Sequence, residues 1–286
     1  MKITIIGAGR VGSAFAIELF NRGYKIQAVI DKSKAKASRL AKFVYCKTST
    51  DELTQEIAEN SDIILLAIKD DDLLTYYREV KHIDFRKRVL VHSSGVLTSE
   101  LFKKYNAYKR DCASLHPAQT FPKVSIKNNH YLKGIYFGIE GGDRALSILK
   151  NLTKKLGSNN IILKKNNKSM YHLGCVISSN FLIANFYILK EFSSALGISE
   201  KRFFNVLKPL YLRTAQNLHE QGVLGSLTGP IVREDVITIK AHLKLLHRKY
   251  PKFVEYYRTA SKILAEVSTR QNKNFNKKLL SEILNE

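Results

Sequence analysis

The stretch from residue 2 to residue 31, KITIIGAGRVGSAFAIELFNRGYKIQAVID, constrains the fold of this chain more than any other. Its β-branched run ITII is typical of a buried parallel strand, and an apolar helix pattern then leads to a second strand, KIQAVID. Between strand and helix, Gly7, Gly9 and Gly12 are spaced as G-x-G-x-x-G. A glycine triplet alone is a weak signal. Strand, glycines, helix, strand and the terminal Asp31 together form the dinucleotide-binding fingerprint of a Rossmann unit.

The parts of this unit predict how a dinucleotide would be held. Gly7 permits the tight turn, Gly9 lets the backbone approach the pyrophosphate, and the helix N-terminus offers free N–H groups to the phosphates. Asp31 lies where an acid commonly holds the ribose diol of NAD, but the basic run that follows it suits the 2′-phosphate of NADP. The sequence therefore predicts NADP or NAD as cofactor and leaves the preference open. The predicted cofactor-binding residues are Gly7, Gly9, Arg10, Val11, Gly12, Asp31, Lys32, Ser33, Ala67, Ile68, Ser94 and Gly95.

Further strand patterns continue the α/β alternation to about residue 165. Those at 61–69, 87–95 and 111–117 each end in small or polar residues. In an open parallel sheet these carboxyl ends meet at one edge, where ligands bind. We therefore expect SLHPAQTF (114–121) to be a loop beside the cofactor cleft. The alternative is a surface turn with a solvated histidine.

The second half of the chain is predicted to be helical. Apolar helix patterns cover 169–197, 199–222, 233–250 and 251–271. The fold class expected is α/β, with an N-terminal Rossmann dinucleotide-binding domain (1–165) followed by an all-α C-terminal substrate and dimerisation domain (166–286). Four such helices carry more apolar residues than one small bundle can bury, so we expect a homodimer through this domain.

Composition excludes some classes of function and suggests a compartment. The net charge is +22, but the lysines are spread along the chain without a nucleic-acid-binding motif, so nucleic acid is not the expected partner. The charge suits an acidic small-molecule substrate. The most apolar segment, 174–190, is interrupted by serines and asparagines, and we expect a buried helix, with no membrane span. Three scattered cysteines and the lack of a signal-peptide pattern favour a cytoplasmic protein without a metal site.

Six segments together resemble the 6-phosphogluconate dehydrogenase-like superfamily, which includes ketopantoate reductase, pyrroline-5-carboxylate reductase and the β-hydroxyacid dehydrogenases. More closely, the chain resembles Rossmann-like oxidoreductases whose helical second half is a domain of unknown function. The resemblance covers nearly the whole length and implies an NAD(P)-dependent oxidoreductase that dimerises through its helices. Two positions depart from the pattern: Lys69 replaces a proline, and Glu234 replaces the glycine of an Arg-Gly-Asp turn. The segments are GAGRVGSAF, AIKDDDL, VHSSGVL, SLHPAQTF, YHLGCVISSN and LTGPIVREDVITIKAHL.

The resemblance also implies catalytic residues. Dehydrogenases of the superfamily use a lysine on the first long helix of the second domain as proton donor, and ketopantoate reductase has an asparagine further along that helix. Aligning Asn180 with that asparagine puts His172 at the place of the lysine. This implies His172 as donor and Asn180 as the residue that orients the carbonyl, with His116 as a second candidate and Lys168, one turn earlier, as an alternative. Residues alone leave open that His172 is a hydrogen-bonded core histidine.

The expected activity is an NAD(P)H-dependent reduction of the C=O group of a small oxo acid, most specifically a ketopantoate-like 2-oxo acid. Arg233 would clamp the substrate carboxylate, unless it only forms a capping network with Glu234 and Asp235. Other hypotheses are a non-catalytic dinucleotide sensor, a reductase of a cyclic imine such as pyrroline-5-carboxylate, and a basic nucleic-acid-binding protein.

Overall fold

The computed structural model describes residues 1–122 and 131–285 of the chain. Within these residues eight strands form one sheet, and the helices lie between the strands and after the last of them. The strands are β1 (Lys2–Ile6), β2 (Lys25–Ile30), β3 (Ser49–Thr50), β4 (Ile63–Leu66), β5 (Val89–His92), β6 (Cys112–Pro117), β7 (Tyr136–Gly141) and β8 (Asn159–Ile162). The helices are α1 (Arg10–Asn21), α2 (Lys34–Phe43), α3 (Gln55–Glu59), α4 (Asp70–Tyr76), α5 (Asp143–Lys155), α6 (Lys168–Ala195), α7 (Glu200–Ser226), α8 (Val236–Lys249), α9 (Val254–Gln271) and α10 (Lys277–Asn285).

The sheet has the strand order β3-β2-β1-β4-β5-β6-β7-β8. Strands β1 to β6 pair in parallel, and every residue of the apolar strands β4 and β5 is buried, as expected for strands covered on both faces. Between β1 and β4 the order changes direction, which creates the crevice where ligands bind in sheets of this kind.

The far edge of the sheet differs from the sequence-based expectation of a wholly parallel sheet. Strand β7 runs antiparallel to β6, with Ser114 opposite Glu140 and His116 opposite Gly138. Helix α5 follows β7 and connects it in parallel to β8, as a parallel pair requires.

Alternation along the strands fills two hydrophobic layers, one on each face of the sheet. On one face Ile5, Leu65 and Phe137 pack with Phe15 of α1 and Leu149 of α5. The opposite layer contains Ile6, Ile64, Leu73, Phe85 and Phe102. The Rossmann-like α/β region followed by a helical region is the fold class that the sequence predicts, and the prediction is confirmed.

The chain divides into two compact units, residues 1–182 and 183–286. The division falls inside α6, later than the expected domain boundary at 165/166, because the first turns of that helix pack with the sheet. In the second unit α8, α9 and α10 share a small core that includes Ile239, Leu243, Ala265, Leu280 and Ile283. Helix α10 was not expected from the sequence pattern, which predicted four helices in this half.

Helix α6 corrects one expectation. The apolar segment 174–190 was expected to be buried, yet of the described residues of α6 only Lys168 and Ser193 are buried. Ile183, for example, is 70% exposed in the single chain. The segment Lys165–Ala195 is long and apolar enough to cross a membrane, by length and composition alone. One such helix is weak support for a membrane span, and an apolar face without a partner is equally typical of a subunit interface.

Candidate functional site

A cavity of about 260 Å³ opens at the carboxyl edge of the sheet in the first compact unit. Strands β1, β4, β5 and β6 all end at this edge because they are parallel. The loops that follow these strands, together with the start of α6, surround the cavity. Its lining residues are Val11, Ile68, Asp70, Ser93, Ser94, Gly95, His116, Pro117, Gln119, Phe121 and His172.

The glycine loop beside this cavity is shaped for a phosphate group. Gly7 has φ +100°, which favours glycine, and a Cβ atom there would lie 2.5 Å from the Ala67 carbonyl oxygen. A Cβ atom on Gly12 would overlap the carbonyl oxygen of Gly7, so α1 can approach the loop only with glycine at this position. Around Gly9, in contrast, no atom of the described residues lies within 4 Å of where a Cβ would stand. The loop therefore leaves open space at the position where the fingerprint brings a pyrophosphate close to the backbone.

The N-terminus of α1 faces this space with free hydrogen-bond donors. Its N-cap, Gly9, provides no side-chain cap, and the first turn contains no acidic residue. The first N–H groups of a helix have no partners within the helix, and together with the helix dipole they favour an anion. The described residues thus fit a dinucleotide.

Asp31, at the end of β2, is held against the glycine loop. Its Oδ2 accepts a hydrogen bond from the Ala8 N–H (2.7 Å), and its Oδ1 accepts one from the Ser33 N–H (2.8 Å). The basic residues next to it lie in solvent-exposed ion pairs: the Lys32 Nζ is 3.6 Å from Glu79, and the Lys34 Nζ is 3.2 Å from Asp51. The carboxylate is therefore fixed against the glycine loop, while the lysines are free to move, since exposed ion pairs contribute little energy.

The remaining predicted cofactor-binding residues lie around the same edge. Val11, Ile68, Ser94 and Gly95 line the cavity, and Ala67 packs against Gly7. The guanidinium of Arg10 reaches the Phe121 carbonyl oxygen at 3.5 Å.

Two histidines face each other at the cavity. The ring centroids of His116 and His172 are 5.3 Å apart in an edge-to-face arrangement. Gly95 packs against both rings, and a Cβ atom there would overlap the His172 ring. Burial, the neighbouring His172 and the ammonium of Lys168 together lower the pKa of His116 to about 4. His116 is therefore neutral at physiological pH.

Tyr171 fixes the orientation of His116. The Tyr171 hydroxyl is 3.3 Å from the Nδ1 of His116 and donates a hydrogen bond to the His116 carbonyl oxygen at 3.4 Å. With its proton committed to that carbonyl, the hydroxyl oxygen accepts from an Nδ1–H, so the Nε2 of His116 is left as a hydrogen-bond acceptor. Burial raises the pKa of Tyr171, which keeps its hydroxyl protonated for this role.

Two other candidates of the first compact unit, Lys168 and Asn180, are not among the described residues that line the cavity. Lys168 has no exposed surface, so it cannot touch a substrate in this cavity. Asn180 is exposed and lies about 12 Å further along α6 than His172. Arg233 belongs to the second compact unit, where it lies 3.7 Å from Asp235, which caps α8 through the Thr238 N–H. That arrangement is the capping network proposed as the alternative reading of this segment.

Sequence reasoning missed several polar residues of the site, namely Asp70, Ser114, Glu140 and Tyr171. Ser114 and Glu140 are single polar residues within apolar strand runs, which is a usable signal that each has a buried partner. The partners could not be identified because the antiparallel register of β6 and β7 was not predicted. In the part of the chain that the structure describes, no group of three or more His, Cys, Asp or Glu residues could hold a metal ion.

Comparison with protein families yields two matches. Residues 2–93 match the family described as NADP oxidoreductase, coenzyme F420-dependent, and residues 135–263 match a domain of unknown function (DUF2520). No curated protein matches the chain. The order of the two matches is that of the resemblance stated from the sequence, a Rossmann-like oxidoreductase with a helical domain of unknown function, and this prediction is confirmed.

Solved structures cover almost the whole chain. A proposed NADP oxidoreductase from Bacteroides fragilis is 23% identical, with a TM-score of 0.76 over 93% of this chain and 98% of its own. A protein from Thermotoga maritima is 27% identical, with a TM-score of 0.71 over 94% of this chain and 99% of its own. A reductive aminase from Aspergillus terreus, in complex with NADPH and ethyl-5-oxohexanoate, is 13% identical, with a TM-score of 0.66 over 99% of this chain and 98% of its own. At such low identity the last likeness establishes the fold alone.

Proposed function

We propose that this Rossmann-like NADP oxidoreductase reduces a polarised C=O or C=N bond of a small molecule held in the histidine-lined cavity, and that His172 supplies the proton. The observation that supports this best is the His116–His172 pair, 5.3 Å apart between ring centroids. Both residues line a cavity that also includes Val11 of α1, directly beside the glycine loop. A proton donor placed there is next to the reacting end of a dinucleotide bound across the sheet edge.

A bound nicotinamide would supply the hydride. The protein would supply the proton and the orientation, and the two histidines divide these tasks. His116 is neutral, and its Nδ1 is engaged by Tyr171, so it acts as a hydrogen-bonding residue that orients the substrate. His172 has no such partner among the described residues and faces the cavity, so it donates the proton to the oxygen or nitrogen of the substrate.

The lining of the cavity bears on the class of substrate. No arginine or lysine is among its described lining residues, and Asp70 is the one acidic side chain there. The described lining residues therefore offer no ionic partner to the carboxylate of an oxo acid, whereas a neutral carbonyl or a neutral imine would not need one. We therefore propose a neutral ketone or aldehyde, or an imine, in place of the small oxo acid favoured by the sequence.

The test is oxidation of NADPH and NADH by the purified protein with four groups of compounds: 2-oxo acids, neutral ketones, cyclic imines, and ketones mixed with a primary amine. We expect turnover with the neutral ketones or the imines, and at least about tenfold lower kcat/KM for 2-oxo acids of the same carbon skeleton. Turnover confined to oxo acids would refute the proposed substrate class. Tight dinucleotide binding without turnover of any group would favour the alternative, a non-catalytic dinucleotide sensor.

Asp31 should decide between the two dinucleotides. We expect Asp31→Asn to weaken NADH binding and strengthen NADPH binding, because the ribose diol loses a charge-assisted hydrogen bond while a 2′-phosphate loses a repelling carboxylate. A hydrogen bond to a charged group contributes about 1.5–3 kcal/mol. The ratio of the two dissociation constants, measured by fluorescence titration, should therefore shift about tenfold or more toward NADPH. The matched control, Lys32→Ala with Lys34→Ala, should weaken NADPH selectively. Equal effects on both dinucleotides in both variants would show that neither group contacts the ribose.

We also propose that the chain forms a homodimer through its long helices. Helix α7 has 27 residues and none of them is buried. Even its apolar side chains are exposed: Val206 is 64% and Leu210 is 66% exposed. Helix α6, about 40 Å long, and the part of α7 before its break at Gly222, about 33 Å long, both carry exposed apolar side chains, which is enough surface for a stable interface. A second copy is the occupant that fits best, because the face is apolar and would meet an identical apolar face. Sedimentation should give twice the chain mass of 32.6 kDa at micromolar concentration. A monomer at all concentrations, or one that binds only to lipid vesicles, would contradict this.

The cytoplasm is the compartment we propose. Cys46, Cys112 and Cys175 are all free thiols, which is typical of proteins in a reducing environment. We propose a small molecule as the substrate and a second copy of the chain as the partner. A nucleic acid is a poor alternative because charge alone does not make a nucleic-acid-binding surface.

A further inference from the structure

Lys168 begins α6, four residues before His172, and is completely buried. Its Nζ donates hydrogen bonds to the Ser94 carbonyl oxygen (3.1 Å) and to the Ser114 Oγ (2.8 Å). Ser94 lies in the loop after β5, and Ser114 lies within β6. One ammonium group therefore connects the first turn of α6 to two neighbouring strands of the sheet.

A buried carboxylate balances this charge. The Ser114 Oγ lies 3.4 Å from the Glu140 Oε2 of β7, and it donates there while it accepts from Lys168. Glu140 also accepts hydrogen bonds from the Ser99 N–H and the Ser99 Oγ, each at 2.8 Å. A buried charge is tolerated where an opposite charge and hydrogen bonds compensate it, and here a serine hydroxyl joins the two charges.

We propose that Lys168 is a positioning residue: its ammonium, fixed between Ser94 and Ser114, ties the start of α6, and with it His172, to the carboxyl ends of β5 and β6. The role assigned to His172 rests on the proposed function; the connection itself does not. Ser94 lines the cavity, and its Oγ donates to the Asp70 Oδ2 at 2.8 Å. Lys168 therefore fixes two walls of the cavity relative to each other.

The same ammonium acts electrostatically on His116. Its positive charge disfavours protonation of His116, and it acts together with burial and the ring of His172. The other titratable groups that face this cluster are Asp70 of α4, His92 of β5, Glu140 of β7 and Tyr171 of α6. Burial lowers the pKa of Lys168 to about 8, while the carboxylates of Glu140 and Asp70 act in the opposite direction. Near neutral pH the ammonium is therefore still charged, and it adds to the effect of burial in keeping His116 neutral.

The experiment uses the charge-balanced double variant Lys168→Met with Glu140→Gln, which leaves no unpaired buried charge. The matched control is Lys165→Met, an exposed lysine one turn earlier that pairs with Glu100 at 2.6 Å. Thermal unfolding establishes that each variant is folded. The imidazole titrations of His116 and His172 are then followed by NMR in the protein without dinucleotide or substrate, and turnover and NADPH affinity are measured separately.

We expect the double variant to raise the pKa of His116 and to lower kcat by about 100-fold, the effect of misplacing a catalytic group by about 1 Å, with unchanged NADPH affinity. Lys165→Met should change none of these quantities. A folded double variant whose His116 titrates as in the wild type would overturn the proposal. So would a double variant with kcat within about twofold of the wild type, since a displacement of the donor should cost far more than that. Because the titration needs no substrate, it tests the role of Lys168 even if the proposed reaction proves wrong.

Discussion

Replacement of His172 by alanine should lower kcat by about 100- to 10,000-fold, the usual contribution of a positioned proton donor. The structure shows why this residue should carry the effect: His172 lines the cavity, and its ring packs on Gly95 and stands opposite His116. NADPH affinity and the melting temperature should change little, because the side chain is only partly buried and its ring packs on Gly95 and His116. Steady-state kinetics on a substrate identified in the panel, with a fluorescence titration of NADPH, measures both quantities.

The matched control is His116→Ala, near the end of β6 and facing His172 in the same cavity. Because His116 is neutral and held by Tyr171, it should contribute orientation alone, and its loss should cost about tenfold in kcat. The reverse ranking would assign proton donation to His116. Two variants with nearly wild-type turnover would show that neither histidine takes part, and would refute the proposed mechanism.

The N-terminal half could be predicted well from the sequence because the signals that specify it lie close together along the chain. A β-branched run, three glycines at fixed spacing, a helix pattern and Asp31 specify one βαβ unit, and the structure shows that unit with Asp31 hydrogen-bonded to the loop through the Ala8 N–H. The segment SLHPAQTF, which the sequence predicted as a loop and which is the end of β6 with the residues that follow it, could be placed at the sheet edge for the same reason, since the carboxyl ends of parallel strands coincide.

The rest of the site depends on contacts between distant residues. Lys168 lies 54 positions from Ser114 and 74 from Ser94, so its burial could not be foreseen from a lysine-rich sequence segment. The direction of β7 could not be predicted from the sequence either. Because β7 runs antiparallel to β6, it places Glu140 beside Ser114 and so determines the charge that Lys168 meets. The alternation of polar and apolar residues gives which face a residue occupies, but it does not give the neighbour across the strand.

Replacement of Gly9 by aspartate should abolish dinucleotide binding while leaving the folded protein as stable as before, or slightly more stable. Gly9 is the N-cap of α1, with φ −74° and ψ −167°, an extended conformation that any residue adopts, and in the described part of the chain nothing lies within 4 Å of the added Cβ. Aspartate is a better N-cap than glycine by a few tenths of a kcal/mol, and its charge suits the helix N-terminus. The same carboxylate would occupy the space for the pyrophosphate and would repel its negative charge. Like charges in contact cost several kcal/mol, so we expect at least about a 100-fold loss of NADPH and NADH affinity.

Two controls separate charge from shape and binding from folding. Gly9→Asn adds nearly the same volume without the charge, so it should lose less affinity than Gly9→Asp. Gly12→Ala, unlike Gly9→Asp, should lower the melting temperature, because its Cβ would overlap the carbonyl oxygen of Gly7. Overpacking of this kind costs about 1–3 kcal/mol of unfolding free energy. Calorimetry of the three variants without ligand, followed by titration with each dinucleotide, gives both results. A folded Gly9→Asp variant with wild-type affinity would mean that the dinucleotide does not lie against this loop, and the proposed function would fall with it.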